Sequence, residues 1–209
     1  MPIEVTAVFE APWFEGASPW PWPIAQNMSF SLIRAWGGMT REEVGSAIAV
    51  LSSHGQLEDE ARVDPLEWIL QGEELSLPGG LSVSQGDRVV LPGCCSGVEE
   101  WTEWSRCLKE RTSPWMGHDP APWLEYREEG VRVWSDGGLE GVGVGEAPWC
   151  IETTRTELDF ALRHLENDIE GFISRIRDWV RAGNLNSNEE VVSRVAEMLG
   201  FGARGAALK

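Results

Sequence analysis

The feature that most constrains the fold is a long run of regularly spaced apolar residues near the carboxyl end of the 209-residue chain. Between residues 154 and 182, apolar side chains recur at alternating steps of four and three: Leu158, Leu162, Leu165, Ile169, Phe172, Ile176 and Trp179. This a/d pattern places all of them on one stripe of an α-helix. Phe160, Ile173 and Val180 widen the stripe, which favours a helix packed on a globular domain over a narrow coiled-coil seam. The sequence predicts a long helix here, in a monomer or in a homodimer formed through it.

Shorter periodic segments precede this helix. Apolar and polar residues alternate over 3–10, 28–36, 122–127 and 130–135, as they do in half-buried strands. Capping-box spacings begin helical patterns at Thr40 with Glu43 and at Ser96 with Glu99. We therefore expect an α+β fold: a mostly antiparallel sheet of about four to six strands, helices packed on one side, and the long C-terminal helix closing it.

Length and composition limit the domain organisation. A chain of this size forms one large domain or one domain with an appendage, and its 42% hydrophobic content suffices for a core. We interpret residues 1–150 as an acidic α+β domain and 151–209 as a helical segment packed on it, with one single domain as the alternative. No apolar run is long enough for a membrane span, and Glu4 and Glu10 stand where a signal peptide would be apolar. The expected location is the cytoplasm.

The net charge of −17 is unevenly placed, with −15 in residues 1–150 and −2 in residues 151–209. Such a field repels nucleic acid and anionic lipid and accelerates encounter with a basic protein. Acidity that only maintains solubility is the alternative interpretation. The charge therefore excludes a nucleic-acid-binding or membrane-binding role and indicates a basic protein partner.

Six Pro-Trp pairs are the most unusual compositional feature, and three of them lie in residues 11–26. Proline fixes φ and tryptophan adds a large rigid surface, so most such pairs are expected to anchor irregular loops to a core. Three indoles in one proline-rich loop exceed that need. We therefore predict that Trp13, Trp20 and Trp22, with Glu10 and Glu15 beside them, form a partner-binding surface. Stacking of sugars on these indoles is a further alternative.

The cysteine pattern predicts no metal site and no cofactor. Cys94, Cys95, Cys107 and Cys150 offer only an adjacent pair, and their spacings, with that of His118, match no zinc knuckle. Neighbouring side chains in an extended segment also point in opposite directions. On this reasoning the cysteines are expected to be ordinary thiols.

An enzymatic alternative uses the same residues. Cys94 and Cys95 lie between an apolar strand pattern and a predicted helix start, where the helix dipole lowers the pKa of a thiol and backbone N–H groups bind an oxyanion. His118 would act as the base and Asp119 would orient it, giving a thiol-dependent hydrolase. The common phosphate-binding, metalloprotease and serine-hydrolase motifs are absent from the sequence. A non-catalytic protein is the leading expectation.

One stretch resembles a known group of proteins. The segments "LPGGLSV", "LPGCCSGVEEWTEW", "GHDPAPWLE" and "VWSDGG", within residues 75–138, resemble uncharacterised bacterial proteins encoded beside secreted polymorphic toxins as candidate immunity proteins. The resemblance implies binding without chemistry and carries no catalytic residues. Together with the charge it predicts an immunity protein that neutralises a basic toxin enzyme by occlusion.

Overall fold

The computed structural model describes residues 1–26, 31–53, 65–72, 75–138, 147–183 and 188–202. Within these ranges the expected α+β class, with antiparallel strands and a long C-terminal helix, is confirmed. The elements are β1 (Glu4–Glu10), β2 (Leu32–Arg34), α1 (Arg41–Ser53), α2 (Pro65–Gln71), β3 (Gly79–Gln85), β4 (Arg88–Val90), α3 (Trp101–Glu110), β5 (Trp123–Tyr126), β6 (Val131–Trp134), β7 (Cys150–Thr153), α4 (Arg155–Ala182) and α5 (Asn188–Met198), with a 3-10 turn, Val98–Glu100, directly before α3.

The strands form two sheets, where the sequence led us to expect one. The four-stranded sheet has the order β2-β1-β3-β4, and the three-stranded sheet has the order β5-β6-β7. Strand β3 pairs antiparallel with β4, and β6 pairs antiparallel with both β5 and β7. Strand β4 is three residues long, and Pro92 follows it closely. Because proline has no N–H to donate, strand pairing ends there and the chain leaves the first sheet.

The residues group into two compact units, one containing Met1–Val8 with Pro78–Asp168 and the other Phe9–Leu77 with Ile169–Lys209. This grouping differs from a division at residue 150. The reason is that β7 pairs with β6 along its whole length, from Trp134 opposite Cys150 to Val131 opposite Thr153. The residues just after 150 are therefore part of the same sheet as those before it.

Helix α4 follows the prediction closely. All seven a/d side chains are buried, as are Ile173 and Val180. Phe160, which the pattern also assigned to the stripe, is instead 63% exposed and packs edge-on against His164. A reciprocal cap begins the helix: the Glu157 N–H donates to Thr154 Oγ1 at 3.1 Å, and the Thr154 N–H donates to the Glu157 carboxylate at 2.9 Å. None of the described helices is long and apolar enough to cross a membrane.

A close backbone contact fixes the later part of α4 within its unit. A Cβ placed on Gly171 would lie 2.9 Å from both Cα and N of Gly37, so only glycine fits there. One turn further on, the Arg175 guanidinium donates two hydrogen bonds to the Met39 carbonyl, at 2.8 and 3.1 Å. The chain after β2 is thereby held against one defined position along the helix.

Candidate functional site

Two segments that are distant in sequence meet in what we call the Cys94–His118 bridge, the backbone pairing of residues 93–94 with 116–118. The Cys94 N–H donates to the His118 carbonyl at 2.7 Å, and the His118 N–H donates to the Cys94 carbonyl at 2.9 Å. The Gly93 N–H donates to the Met116 carbonyl at 2.8 Å. This antiparallel bridge sets Cys94 directly opposite His118.

The bridge brings together three side chains that we call the thiol–histidine cluster: Cys94, Cys95 and His118. One sulfur or ring-nitrogen atom from each lies within 4.8 Å of the other two. The two Sγ atoms are 3.3 Å apart. The expectation that adjacent cysteines point apart fails because it assumed extended backbone, whereas Cys95 is left-handed with φ +62°. Both cysteines are exposed.

Two glycines permit the close approach of the segments. A Cβ on Gly93 would lie 1.9 Å from the Pro120 carbonyl oxygen, a distance that no real contact allows. Gly117 has φ +91°, and a Cβ there would lie 2.3 Å from the Gly93 carbonyl oxygen. Any other residue at either position would force the two segments apart.

Neighbouring side chains orient the cluster. His118 Nδ1 lies 3.2 Å from Asp119 Oδ2, and both side chains are accessible, at 38% and 66% exposure. The Trp115 indole N–H donates to the Cys95 carbonyl at 3.0 Å, and its ring centroid lies 6.4 Å from that of His118. The Pro114-Trp115 pair therefore anchors the left-handed turn that carries the thiols.

The start of the following helix differs from the sequence prediction. Ser96 is not its cap: the Ser96 hydroxyl hydrogen-bonds to the Gly79 carbonyl and lies 3.0 Å from the Gly93 carbonyl. Gly97 takes the cap position, and its N–H donates to the Glu100 carboxylate at 3.3 Å. Burial raises the pKa of Glu100 above its usual value. The thiols therefore lie before the Val98–Glu100 turn. The Gly97 N–H already donates its hydrogen bond to the Glu100 carboxylate.

These hydrogen bonds bear on the thiol-hydrolase alternative. The structure does assemble Cys94, Cys95, His118 and Asp119, as that alternative requires. An oxyanion hole, however, needs backbone N–H groups that are free to donate to the reacting oxygen. The N–H groups of Gly93, Cys94 and His118 donate to carbonyls within the bridge, and that of Gly97 donates to Glu100. The hydrolase stays a prediction, and its donors would have to come from other groups.

The second candidate site is the tryptophan loop, which we define as residues 11–26. Trp22 holds its later part: the indole N–H donates to the Gly45 carbonyl at 3.0 Å, and the ring packs edge-on against Trp179 at 5.5 Å. The Ala25 N–H donates to Ser46 Oγ at 3.0 Å. A Cβ on Gly45 would lie 2.2 Å from the Pro23 carbonyl oxygen, so the loop lies directly on α1. Trp22 is half-buried and acts as the anchor of this loop.

The earlier part of the tryptophan loop projects from this anchor. Trp13 is 60% exposed, and the side chains of Glu10 and Glu15 on either side of it are also exposed. Trp20 is half-buried and packs edge-on against Phe14, with ring centroids 5.6 Å apart. The three indoles that the sequence grouped together thus differ: Trp22 is the anchor, Trp20 packs within the loop, and Trp13 is exposed.

The remaining Pro-Trp pairs lie outside this loop and make defined contacts. Trp123 stacks on Trp134 with ring centroids 6.3 Å apart. The Arg88 guanidinium lies over the Trp149 ring at 5.6 Å. Trp115 holds the turn at Cys95, whereas Trp123 is the first residue of β5 and its stack joins two strands. For the Pro-Trp pairs as a whole, anchoring of irregular loops stays a prediction.

Sequence reasoning grouped Cys94 and Cys95 with His118 only as a thiol nucleophile with its base. It did not group the three side chains as a metal cluster, because it searched for ligand spacing along the chain. A weaker signal was present: Gly93 and Gly117 stand next to these residues, and glycine permits a close approach of two segments. Comparisons with protein-family models, with curated proteins and with solved structures found no match for this chain. Its function is therefore inferred from the side chains described above.

Proposed function

We propose that this chain is a non-catalytic binding protein that holds a basic partner protein through the exposed part of its tryptophan loop. The observation that carries the proposal is the contrast within the loop, where an anchored Trp22 supports an exposed Trp13 between two exposed carboxylates. An exposed aromatic ring on a pre-organised segment loses little entropy on binding. Such rings are frequent energetic centres of protein interfaces.

The charge of the chain supports the same partner chemistry. Glu10 and Glu15 flank the exposed ring, and residues 1–150 carry a net charge of −15. A negative surface steers a positively charged protein toward the loop, and carboxylates at the rim of the contact pair with its Lys and Arg side chains. The association rate is therefore expected to fall as ionic strength rises.

In its finer form the proposal is an immunity protein that neutralises a basic toxin enzyme by covering its active site. The resemblance of residues 75–138 to candidate immunity proteins supports this form, and so does the acidic charge of the chain. Occlusion requires only tight surface binding, so no catalytic group of this chain takes part. The partner enzyme is expected to lose activity in proportion to the amount of chain added.

In the test, the full chain is first immobilised. The proteins that it retains at low salt are then identified. Each retained protein with a basic isoelectric point is then purified and titrated against the wild type and single variants. We expect Trp13→Ala to weaken binding by at least about tenfold, as loss of a central aromatic does. Glu15→Gln should chiefly slow association at low salt.

Phe160→Ala is the matched control, because Phe160 is an aromatic residue of similar exposure on α4. Glu170→Gln, at an exposed carboxylate of the same helix, controls for the loss of one charge. If Trp13→Ala and Phe160→Ala weaken the binding of a purified partner equally, the tryptophan loop is not its binding surface. Absence of any purified basic protein that binds would refute the partner class.

A further inference from the structure

The thiol–histidine cluster has the composition and spacing of a metal site. Its donors are two sulfur atoms and one imidazole nitrogen, mutually within 4.8 Å on an accessible surface. We propose that Cys94, Cys95 and His118 bind one Zn²⁺ ion, with a water molecule as the fourth ligand. The proposal is independent of the tryptophan loop and of any basic partner.

The backbone prepares the two sulfurs to share one ion. The left-handed conformation of Cys95 turns its side chain to the same side as that of Cys94, so the sulfurs lie 3.3 Å apart. In a tetrahedral zinc site with Zn–S bonds of about 2.3 Å, two sulfurs lie about 3.8 Å apart. A small rotation about each Cα–Cβ bond closes this difference. Both side chains are exposed, so the rotation displaces no core residue.

His118 is presented from the opposite segment by backbone hydrogen bonds that do not involve its ring. Asp119 Oδ2 lies 3.2 Å from Nδ1 and, as a carboxylate, accepts a hydrogen bond from that nitrogen in the Nδ1–H tautomer. In this tautomer the lone pair of the neutral ring lies on Nε2, which is the nitrogen left to bind a metal. A carboxylate behind a histidine ligand is the usual arrangement in zinc proteins, where it fixes the tautomer and raises ligand basicity.

The donor set selects the metal. Thiolate sulfur with imidazole nitrogen suits Zn²⁺, whereas Mg²⁺ and Ca²⁺ require oxygen ligands. Two-coordinate Cu⁺ would place its sulfurs on opposite sides, about 4.6 Å apart for bonds of about 2.3 Å, and would leave the histidine unused. Binding of Zn²⁺ converts two thiols to thiolates and releases two protons to solvent, so affinity falls as the pH is lowered.

The surrounding hydrogen bonds favour a ligand role over a nucleophilic one. A thiol nucleophile needs nearby N–H groups for an oxyanion, and those of Gly93, Cys94, His118 and Gly97 already donate to other acceptors. A metal ligand needs only its sulfur. The same bonds instead hold the cluster in position, and bound zinc would cross-link residues 94–95 to residue 118.

The experiment titrates the reduced full chain with Zn²⁺ against a chromophoric chelator and, separately, with Co²⁺, which takes the same ligands. We expect one ion per chain with a Kd below about 1 µM. The Co²⁺ form should show thiolate-to-metal charge transfer in the near ultraviolet and the visible bands of a tetrahedral ion. Zinc should also raise the Tm of the wild type, and a chelator should reverse the rise.

Variants locate the ligands. Cys94→Ser, Cys95→Ser and His118→Ala should each weaken binding by at least about 100-fold, and Asp119→Asn by about 10- to 100-fold. Cys150→Ser is the control, because Cys150 is a partly exposed thiol outside the cluster. Circular dichroism confirms that each variant is folded, and the Co²⁺ spectrum of the wild type tests the site without any substitution.

Three results would overturn the proposal. The first is Co²⁺ binding without a thiolate band, and the second is zinc affinity that the three ligand variants leave unchanged. The third is alkylation of Cys94 at the same rate with and without zinc, together with a hydrolase activity that Cys94→Ala abolishes. That last result would establish the thiol nucleophile in place of the metal ligand.

Discussion

Helix α4 and the Cys94–His118 bridge are both ordered by backbone hydrogen bonds. They differ in the sequence separation of the residues that these bonds join. In α4 each bond joins residues four apart, and a regular spacing of apolar residues selects the buried face. In the bridge, Cys94 bonds to a residue 24 positions away, and the segment depends on a left-handed Cys95 and on glycines at 93 and 117. The helix tolerates many sequences with the same periodicity. The bridge depends on a few individual residues.

The largest expected effect tests the buried stripe of α4. Leu165→Ala removes a fully buried side chain and should lower the free energy of unfolding by about 2 to 5 kcal/mol. Phe160→Ala, on the exposed side of the same helix, should change it by less than about 0.5 kcal/mol. Urea denaturation of the two variants measures the difference. Equal losses would mean that Phe160 is covered in solution, as in a dimer formed through this helix.

The next effect tests the bridge. Gly93→Ala places a methyl group against the Pro120 carbonyl oxygen, and we expect it to lower the free energy of unfolding by about 1 to 3 kcal/mol. Because the clash is with backbone, no side-chain rotation can relieve it. The variant should also exchange the Cys94 and His118 amide hydrogens faster than wild type. A Gly93→Ala protein with unchanged stability and exchange would contradict the close approach.

A smaller effect tests how α4 begins. Thr154→Ala removes the hydroxyl that accepts the Glu157 N–H, so we expect a loss of about 1 kcal/mol in the free energy of unfolding. Thr154→Ser keeps the acceptor and serves as the matched control. If both variants lose the same amount, the methyl group of Thr154 and not its hydroxyl would be responsible.

The smallest effect is a pH dependence at the same cap. Hydrogen bonds from the Thr154 N–H, the Thr154 hydroxyl and the Thr153 hydroxyl lower the pKa of Glu157 in the folded state. The stabilisation is therefore complete above the ordinary Glu pKa and is lost as the pH falls through the lowered value. The stability difference between wild type and Glu157→Gln should shrink over that acidic range. A difference independent of pH would show that the cap does not depend on ionisation.

The contrast between the two regions also explains what could be predicted from the sequence. The bounds of α4 followed from seven apolar residues, and strands β5 and β6 followed from alternation over 122–127 and 130–135, because both signals are local. The separation into two sheets did not follow, since strand pairing depends on distant segments. Ser96 was misplaced as a cap because its hydroxyl bonds to Gly79, 17 residues earlier.

The candidate sites divide in the same way. The predicted partner-binding surface of Trp13, Trp20 and Trp22 came from the number of indoles in one short loop. The anchoring of Trp22 depends instead on Gly45 and Trp179, which no local pattern connects to it. A metal role for Cys94, Cys95 and His118 was not expected from the sequence, because ligand spacing was judged along an extended chain. The positive φ of Cys95 is what places the two sulfur atoms close together.

The contact of Gly171 with Gly37 has a consequence for how this chain can change over time. Each residue added to a helix rotates everything after it by about 100°. A single insertion between Gly171 and Arg175 would carry Arg175 away from the Met39 carbonyl while Gly171 stayed against the Gly37 backbone. We therefore expect the spacing of these two residues to tolerate no insertion, even where neighbouring surface residues change.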